Sequence, residues 1–229
     1  MKTIGLIGGM SWESSAEYYR TLNTLMKERL GGLHSAKLIL HSVDFAEIES
    51  LQRNNEWEKA GEQLAKIAQN LEVAGADVIL LATNTMHKIA EQISSAISLP
   101  FLHIGDAVSR AITLEKLDTV GLLGTRYTME QDFYRARLQS HGLKVIVPDF
   151  AGREELNRII FEELCLGKVE KKSAQALSSM VGDMEAQGAR GLILGCTELG
   201  MLSEMSQFKI PVFDTTQIHC KAAVDFVLA

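Results

Sequence analysis

The sequence predicts an α/β protein of two similar lobes, each a parallel sheet flanked by helices. A pseudo-two-fold would relate the lobes, with the functional site in the cleft between them. Three observations lead there. First, short apolar runs bounded by glycine alternate with longer segments of helical periodicity, as expected of strands buried on both faces. Second, the pattern begins again halfway along. Thr119-Val120-Gly121-Leu122-Leu123-Gly124-Thr125 echoes Ile4-Gly5-Leu6-Ile7-Gly8-Gly9, offset by 121 − 5 = 116 residues. Pro211-Val212-Phe213-Asp214 echoes Pro100-Phe101-Leu102-His103, offset by 211 − 100 = 111. Third, Val78-Ile79-Leu80-Leu81-Ala82-Thr83-Asn84-Thr85-Met86 has the layout of Gly191-Leu192-Ile193-Leu194-Gly195-Cys196-Thr197-Glu198-Leu199, offset by 196 − 83 = 113. These offsets fit one duplicated unit with small insertions, not a solenoid, whose period is roughly 20–50 residues.

Taken in order, Ile4 to Ile7 is a first buried strand, and Ser11 caps a helix carrying Glu13 in its first turn. Ala16, Tyr19, Met26 and Leu30 keep helical spacing until Gly31-Gly32 stops it. Leu38-Ile39-Leu40 is the second strand. A helix from about Trp57 carries Leu64, Ile67, Leu71 and Ala74 on one face and ends at Gly75. After the Thr83 strand come a helix through Ile89, Ile93 and Ile97 and a short strand at Phe101-Leu102-His103-Ile104. In the second half a helix reaches Gly142, and Val145-Ile146-Val147 is a strand ending at Pro148. Two helices stop at Gly167 and Gly188, and the Cys196 strand follows. The lobes are expected at 1–114 plus 212–229 and at 115–211, with a final helix from about Thr216 returning to the first.

Composition narrows the function classes. The 229 residues are 46% hydrophobic with 3 prolines, enough for a sizeable core. The net charge of −6 comes without a basic block, which argues against nucleic-acid binding. No apolar run approaches the roughly 18 residues of a membrane span. The start has one lysine and too short an apolar run for a signal peptide, so a cytoplasmic protein is expected. Cys165, Cys196 and Cys220 are spaced for neither a disulfide framework nor a zinc site. Gly5-x-x-Gly8-Gly9 is not the spaced dinucleotide fingerprint.

In parallel sheets ligands bind outside the carboxyl ends of the strands. Gly8-Gly9-Met10-Ser11, Thr83-Asn84-Thr85, Gly124-Thr125 and Cys196-Thr197-Glu198 all fall at such ends. Two lobes facing each other would bring Thr83 and Cys196 to opposite sides of one crevice. Cys165 and Cys220 lie in helical patterns and read as core. Met10 and Trp12 are either specific substrate contacts, with Met10 the candidate, or lining or core. His87 either packs or supports the Thr83 turn. Glu198 orients a neighbour, repels misplaced ligand, or favours its helix's first turn.

Gly8-Gly9-Met10, Thr83-Asn84-Thr85-Met86-His87, Gly124-Thr125 with Thr128, and Gly195-Cys196-Thr197-Glu198 together resemble the aspartate/glutamate racemase family along the whole chain. With Gly8 to Ser14, the likeness is closest to its L-aspartate/glutamate-specific branch. The family's first motif has cysteine where this chain has Thr83. The resemblance implies cofactor-independent racemisation of an acidic amino acid, with no pyridoxal phosphate, metal or nucleotide, in a homodimer. It makes Cys196 and Thr83 the catalytic pair. Racemisation needs a group on each face of the α-carbon, and a thiol serves as base if its pKa falls from about 8.5, as a helix N-terminus can arrange. Asn84, Thr85, Thr125 and Thr197 offer donors for the α-carboxylate, which also stabilise the carbanion-like transition state.

The partner of the substrate's side-chain carboxylate is open among Gln52, Arg53, Arg126 and Lys168, with Gln52 preferred. Many aspartate racemases carry a lysine where this chain has Cys165. Two alternatives stand beside the racemase. One is a one-thiol relative, a decarboxylase or cis–trans isomerase of a small dicarboxylate. The other is a non-catalytic binder of an acidic metabolite.

Overall fold

The computed structural model describes residues 1–203 and 208–229. Its strands are β1 (Ile4–Gly8), β2 (Leu38–Ser42), β3 (Val78–Leu81), β4 (Thr119–Gly124), β5 (Lys144–Ile146), β6 (Gly191–Gly195) and β7 (Val212–Asp214). The earlier helices are α1 (Trp12–Leu30), α2 (Phe45–Arg53), α3 (Trp57–Val73), α4 (Ala90–Ser95) and α5 (Ile104–Leu114). Then come α6 (Arg126–Glu130), α7 (Asp132–Ser140), α8 (Phe150–Arg158), α9 (Lys171–Ala186), α10 (Leu199–Ser203) and α11 (Thr215–Leu228). All strand pairs are parallel, in the orders β2-β1-β3 and β5-β4-β6-β7. The chain is thus an α/β protein with two parallel sheets flanked by helices.

The backbone divides into two compact units, Met1–Ile104 with His219–Ala229, and Gly105–Ile218. In the first, side chains alternate across the sheet with the period of two that a pleated strand imposes. Ile4, Leu6, Val78, Leu80 and Ala82 share one face, covered by Tyr18, Leu22 and Met26 of α1 and by Cys220, Ala223, Val224 and Val227 of α11. Those α11 positions are i, i+3, i+4 and i+7, the stripe a helix needs to lie on a sheet. On the other face Gly5 makes room for α3: a Cβ there would stand 2.7 Å from Ile79 Cδ1 and 3.3 Å from Leu71 Cβ. The second unit has its own core, in which Leu123, Ile146, Leu192 and Leu194 meet Ile159, Ile160, Leu177, Val181 and Met184.

The two sheets repeat one register. Gly5 pairs with Ile79, and Gly121 with Leu192. Ile79 N–H donates to Pro100 O at 2.9 Å, and Leu192 N–H to Pro211 O at 2.8 Å. The sequence offsets therefore correspond to equivalent hydrogen bonds.

Several expectations change. The strand at Phe101–Ile104 is a single bridge, Ile79 to Phe101, because α5 starts at Ile104. The helix through Ile97 is a 3₁₀ turn, Thr85–Ile89, followed by α4, which ends at Ser95. The helix to Gly142 is two, interrupted at Gln131, whose ψ of 149° is extended. The one ending at Gly167 passes from α8 into a π-helical turn, Ile159–Glu163, and a 3₁₀ turn, Leu164–Leu166. Phe45–Arg53 is helical because the Asp44 side chain accepts from Ala46 N–H, an N-cap that periodicity does not reveal.

The boundaries expected after 114 and 211 lie instead after Ile104 and Ile218. Asp106 of α5 takes two bonds of 2.6 Å from Arg137 of α7, so α5 belongs with the second unit. β7 is laddered to β6, and Thr215 Oγ1 donates to Leu194 O at 2.8 Å, so 212–218 belongs there too.

The turn after β1 generates a prediction. Gly9 has φ of +93°, and an added Cβ would overlap the Val43 backbone. Gly9→Ala should therefore cost about 2 kcal/mol or more in urea unfolding, from left-handed strain plus the clash. An unchanged midpoint would show that this turn relaxes freely.

Candidate functional site

In the first unit, the ends of β1 and β3 are held together by serines at the start of α1. Ser15 Oγ accepts from Gly9 N–H at 2.7 Å and donates to Ser11 O at 3.1 Å. Ser14 Oγ donates to Ala82 O at 3.0 Å, which anchors the residue just before Thr83. Ala82 N–H bonds Ile7 O, and Thr83 N–H turns back to Leu81 O, both at 2.9 Å. Thr83 is half-buried at this turn, while Asn84 and Thr85 are buried at the start of the 3₁₀ turn. His87 Nδ1 lies 2.7 Å from Thr83 O. Met10 is buried in the β1 turn. Gln52 is buried in α2 and donates to Met86 Sδ at 2.9 Å.

In the second unit, β4 and β6 approach so closely at their carboxyl ends that both carry glycine. A Cβ on Gly195 would stand 2.8 Å from Leu123 O, and one on Gly124 would stand 3.1 Å from Gly195 O. Thr125 Oγ1 caps α6, accepting from Thr128 N–H at 3.4 Å, and the two hydroxyls lie 3.2 Å apart. One residue beyond β6, the Cys196 thiol donates to Glu198 Oε2 at 3.0 Å. The Thr197 hydroxyl donates to the same oxygen at 2.7 Å.

This pair overturns the expectation of a depressed thiol. Burial pushes the Cys196 pKa well above its ordinary value; the Glu198 charge, the bond to Glu198 and the nearby Cys165 thiol add to the rise. The opposing influence of a helix N-terminus is small, since α10 begins three residues later and has only 5 residues. Cys196 therefore rests as a thiol with a carboxylate acceptor in contact. Of the three readings of Glu198, orientation of a neighbour is the one its bonds support. The Thr197 hydroxyl, expected as a carboxylate donor, donates to Glu198 in this structure.

The other predicted residues separate. Arg53 and Arg126 are exposed and lie beside Glu49 and Glu154, at 3.6 and 3.4 Å. Lys168 is exposed, and its backbone N–H donates to Glu163 O at 2.9 Å. Cys220 is fully buried in the first core, as expected of a structural cysteine. Cys165 is half-buried and packs on the apolar core cluster that also carries Cys196. Among the described residues no group of three or more His, Cys, Asp or Glu is arranged to hold a metal ion. No helix of the described residues is long and apolar enough to cross a membrane.

Sequence reasoning missed Ser14 and Ser15, although serines placed right after a Gly-Gly strand end were a usable signal. It also missed Glu163, a buried carboxylate bonded to Ser173 Oγ at 2.5 Å and to Arg158 at 2.9 Å. An acid inside the apolar run around Ile159 to Leu166 was the hint. Arg158 and Ser173 together hold the Glu163 pKa below the usual carboxylate range, and the Ser173 bond contributes most.

The family model described as Asp/Glu/Hydantoin racemase matches residues 7–223. The chain is 30% identical to the broad specificity amino-acid racemase RacX of Bacillus subtilis, over 71% of this chain and 70% of that protein. A crystal structure assigned as an Asp/Glu racemase from Yersinia pestis superposes with a TM-score of 0.93 at 53% identity, covering 100% of both chains. An aspartate racemase homologue from Pyrococcus horikoshii gives 0.88 at 36% identity, again over 100% of both.

The thiol–carboxylate pair is open to a direct test. Glu198→Gln removes the charge that raises the thiol pKa and leaves only a weaker, neutral acceptor for the thiol. The pH at which alkylation of Cys196 by iodoacetamide accelerates should therefore move down, while burial keeps it above that of an ordinary thiol. No downward movement would mean that the pair does not form in solution.

Proposed function

Because the chain belongs to the Asp/Glu/Hydantoin racemase family, we propose that it racemises acidic amino acids without a cofactor. Cys196 takes the α-proton of L-aspartate or L-glutamate, and Thr83 stands on the side that returns one. Family membership supports amino-acid racemase activity. The observation that supports the finer reading is the Cys196–Glu198 contact just past the carboxyl end of β6, as Thr83 lies just past that of β3, two residues beyond Leu81.

The thiol must first lose its proton, and Glu198 is the acceptor in contact with it. The thiolate then removes the α-proton, leaving an enolate-like carbanion whose growing charge falls on the α-carboxylate. Backbone N–H groups at the starts of the Thr85 turn and of the Thr125-capped helix, with Asn84, are the proposed donors to that carboxylate. Gln52 is the proposed partner of the side-chain carboxylate. Its present acceptor is a thioether, a weak one that an ionised carboxylate would outcompete. We extend the proposal to a cytoplasmic homodimer, an assembly supported by the family resemblance alone.

A threonine hydroxyl is far less acidic than a thiol, so Thr83 is seldom ionised and makes a poor base. It can still donate a proton, or relay one from water, to a carbanion it faces. The forward and reverse half-reactions therefore differ in accessible rate, while thermodynamics still fixes the enantiomer ratio at equilibrium.

In deuterated water the wild-type protein should exchange the α-proton of L-aspartate or L-glutamate faster than that of the D-isomers. Thr83→Cys should raise solvent exchange of the α-proton of D-substrate more than that of L-substrate. Equal wild-type exchange of both enantiomers would defeat the asymmetric mechanism. Release of carbon dioxide would instead indicate a decarboxylase, and binding without exchange a non-catalytic protein. Cys196→Ala should lose turnover, by roughly 1,000-fold or more for removal of the only base; retained activity would exclude Cys196 as that base.

A further inference from the structure

We propose that His87 is a positioning residue for this reaction, fixing the Thr83 turn through a single imidazole tautomer. The inference rests on the reading that Thr83 faces the carbanion. Its geometry is independent of that reading.

His87 is 3% exposed, and both of its ring nitrogens meet backbone atoms. Nδ1 lies 2.7 Å from Thr83 O, which can only accept, so Nδ1 carries the proton. Ile104 N–H, which can only donate, reaches Nε2 at 3.2 Å, so Nε2 is bare. The partners thus dictate a neutral ring with its proton on Nδ1.

The bond to Thr83 fills a gap left by the local backbone. In an α-helix His87 N–H would bond Thr83 O, four residues back. Here the turn is 3₁₀, and His87 N–H bonds Asn84 O at 3.1 Å instead. The imidazole of the same residue supplies the donor that Thr83 O would otherwise take from its amide. Thr83 is consequently held from behind by the sheet and by Ser14, and from ahead by His87.

The ring is itself confined. Its centroid is 4.5 Å from that of His103, 5.7 Å from Phe101 and 6.0 Å from His219. His219 repeats the device: Nε2 donates to Leu102 O at 2.8 Å, and Tyr18 O–H donates to Nδ1 at 2.9 Å. Burial above all holds the His219 pKa down to about 4, so that ring stays neutral. Together the two imidazoles grip Leu102 and Ile104, beside the lone Phe101 bridge. At the equivalent place in the second unit, Val212–Asp214 has a full ladder to β6. In the first unit imidazole bonds stand in for that ladder, and one of them also holds Thr83.

A group that acts only through Thr83 leaves Cys196 untouched, which supplies the test. With L-aspartate in deuterated water, two rates are read on each variant: deuterium entry into recovered L-isomer, and formation of D-isomer. His87→Ala should slow D-isomer formation roughly 10- to 100-fold, the scale of loss from misplacing a reacting group. Deuterium entry into the L-isomer should change far less. His87→Asn, whose side-chain N–H₂ can occupy the Nδ1 position, should restore much of the D-isomer rate. Nitrogen NMR of the wild-type ring should report a protonated Nδ1 and a bare Nε2.

Equal loss of both rates, no loss of either, or failure of Asn to improve on Ala would overturn the proposal. So would the opposite tautomer, whether or not the protein is active. A wild-type protein inert toward both enantiomers would overturn the racemase reading, and this positioning role with it. An active wild type with His87 variants impaired equally in both rates would overturn this role alone.

Discussion

Parallel pairing of a glycine-bearing strand with its neighbour is the constraint on which everything else depends. β1 and β4 run through the middle of their sheets, and Gly5 and Gly121 occupy the same register against Ile79 and Leu192. A side chain at either glycine would press into Ile79 or into Met184. The strands can therefore lie against their covering helices only where no Cβ intervenes. Once that register is set, β6 ends level with β4 at Gly195, β3 ends at Leu81 opposite Ile7, and the chain leaves each ladder. Thr83 follows two residues later in one unit and Cys196 one residue later in the other.

Equivalent positions then acquire different chemistry from their surroundings. Cys196 donates to a carboxylate that is two residues away, buried, and shared with Thr197. A bond to an ionised acceptor is roughly twice as strong as a neutral one, and it favours the protonated thiol. The cost of making a thiolate is therefore set by burial first and then by Glu198, not by a helix dipole. Thr83 has no such acid beside it in sequence, and the carbonyl of its own peptide is held by an imidazole. In one unit a thiol is paired with an acid, and in the other a backbone carbonyl is fixed by a ring.

Irregular backbone accompanies the second site as well. The π-helical and 3₁₀ turns from Ile159 to Leu166 end in Gly167, whose left-handed φ of +70° favours a residue without a Cβ. Glu163, buried inside this stretch, is satisfied by Ser173 and Arg158. A buried carboxylate is tolerable when hydrogen-bonded and paired, and this one ties the turn to α8 and α9. Through that turn Cys165 comes to lie on the apolar cluster that also carries Cys196.

Much of this was legible without coordinates. Strands buried on both faces leave unbroken apolar runs, so the duplication, the strand order along the chain and the strand-end positions of Thr83 and Cys196 could all be read directly. Ser11 and Gly31 were equally readable, because caps act within a few residues of themselves. What tertiary structure alone decided depends on partners that are distant in sequence or on solvent exclusion. Tyr18 meets His219 across 201 positions, and His87 reaches Ile104 across 17. Neither separation has a period. The segment after Phe101 has the composition of a strand, yet it makes one bridge because α5 begins at Ile104 and imidazoles take its backbone groups. The boundary between units moved for a similar reason, since α5 is claimed by Arg137 and not by its own pattern. The state of Cys196 was the least readable of all. Its motif announces a reactive sulfur, but only burial beside Glu198 determines that the sulfur keeps its proton, because desolvation is a property of the whole fold.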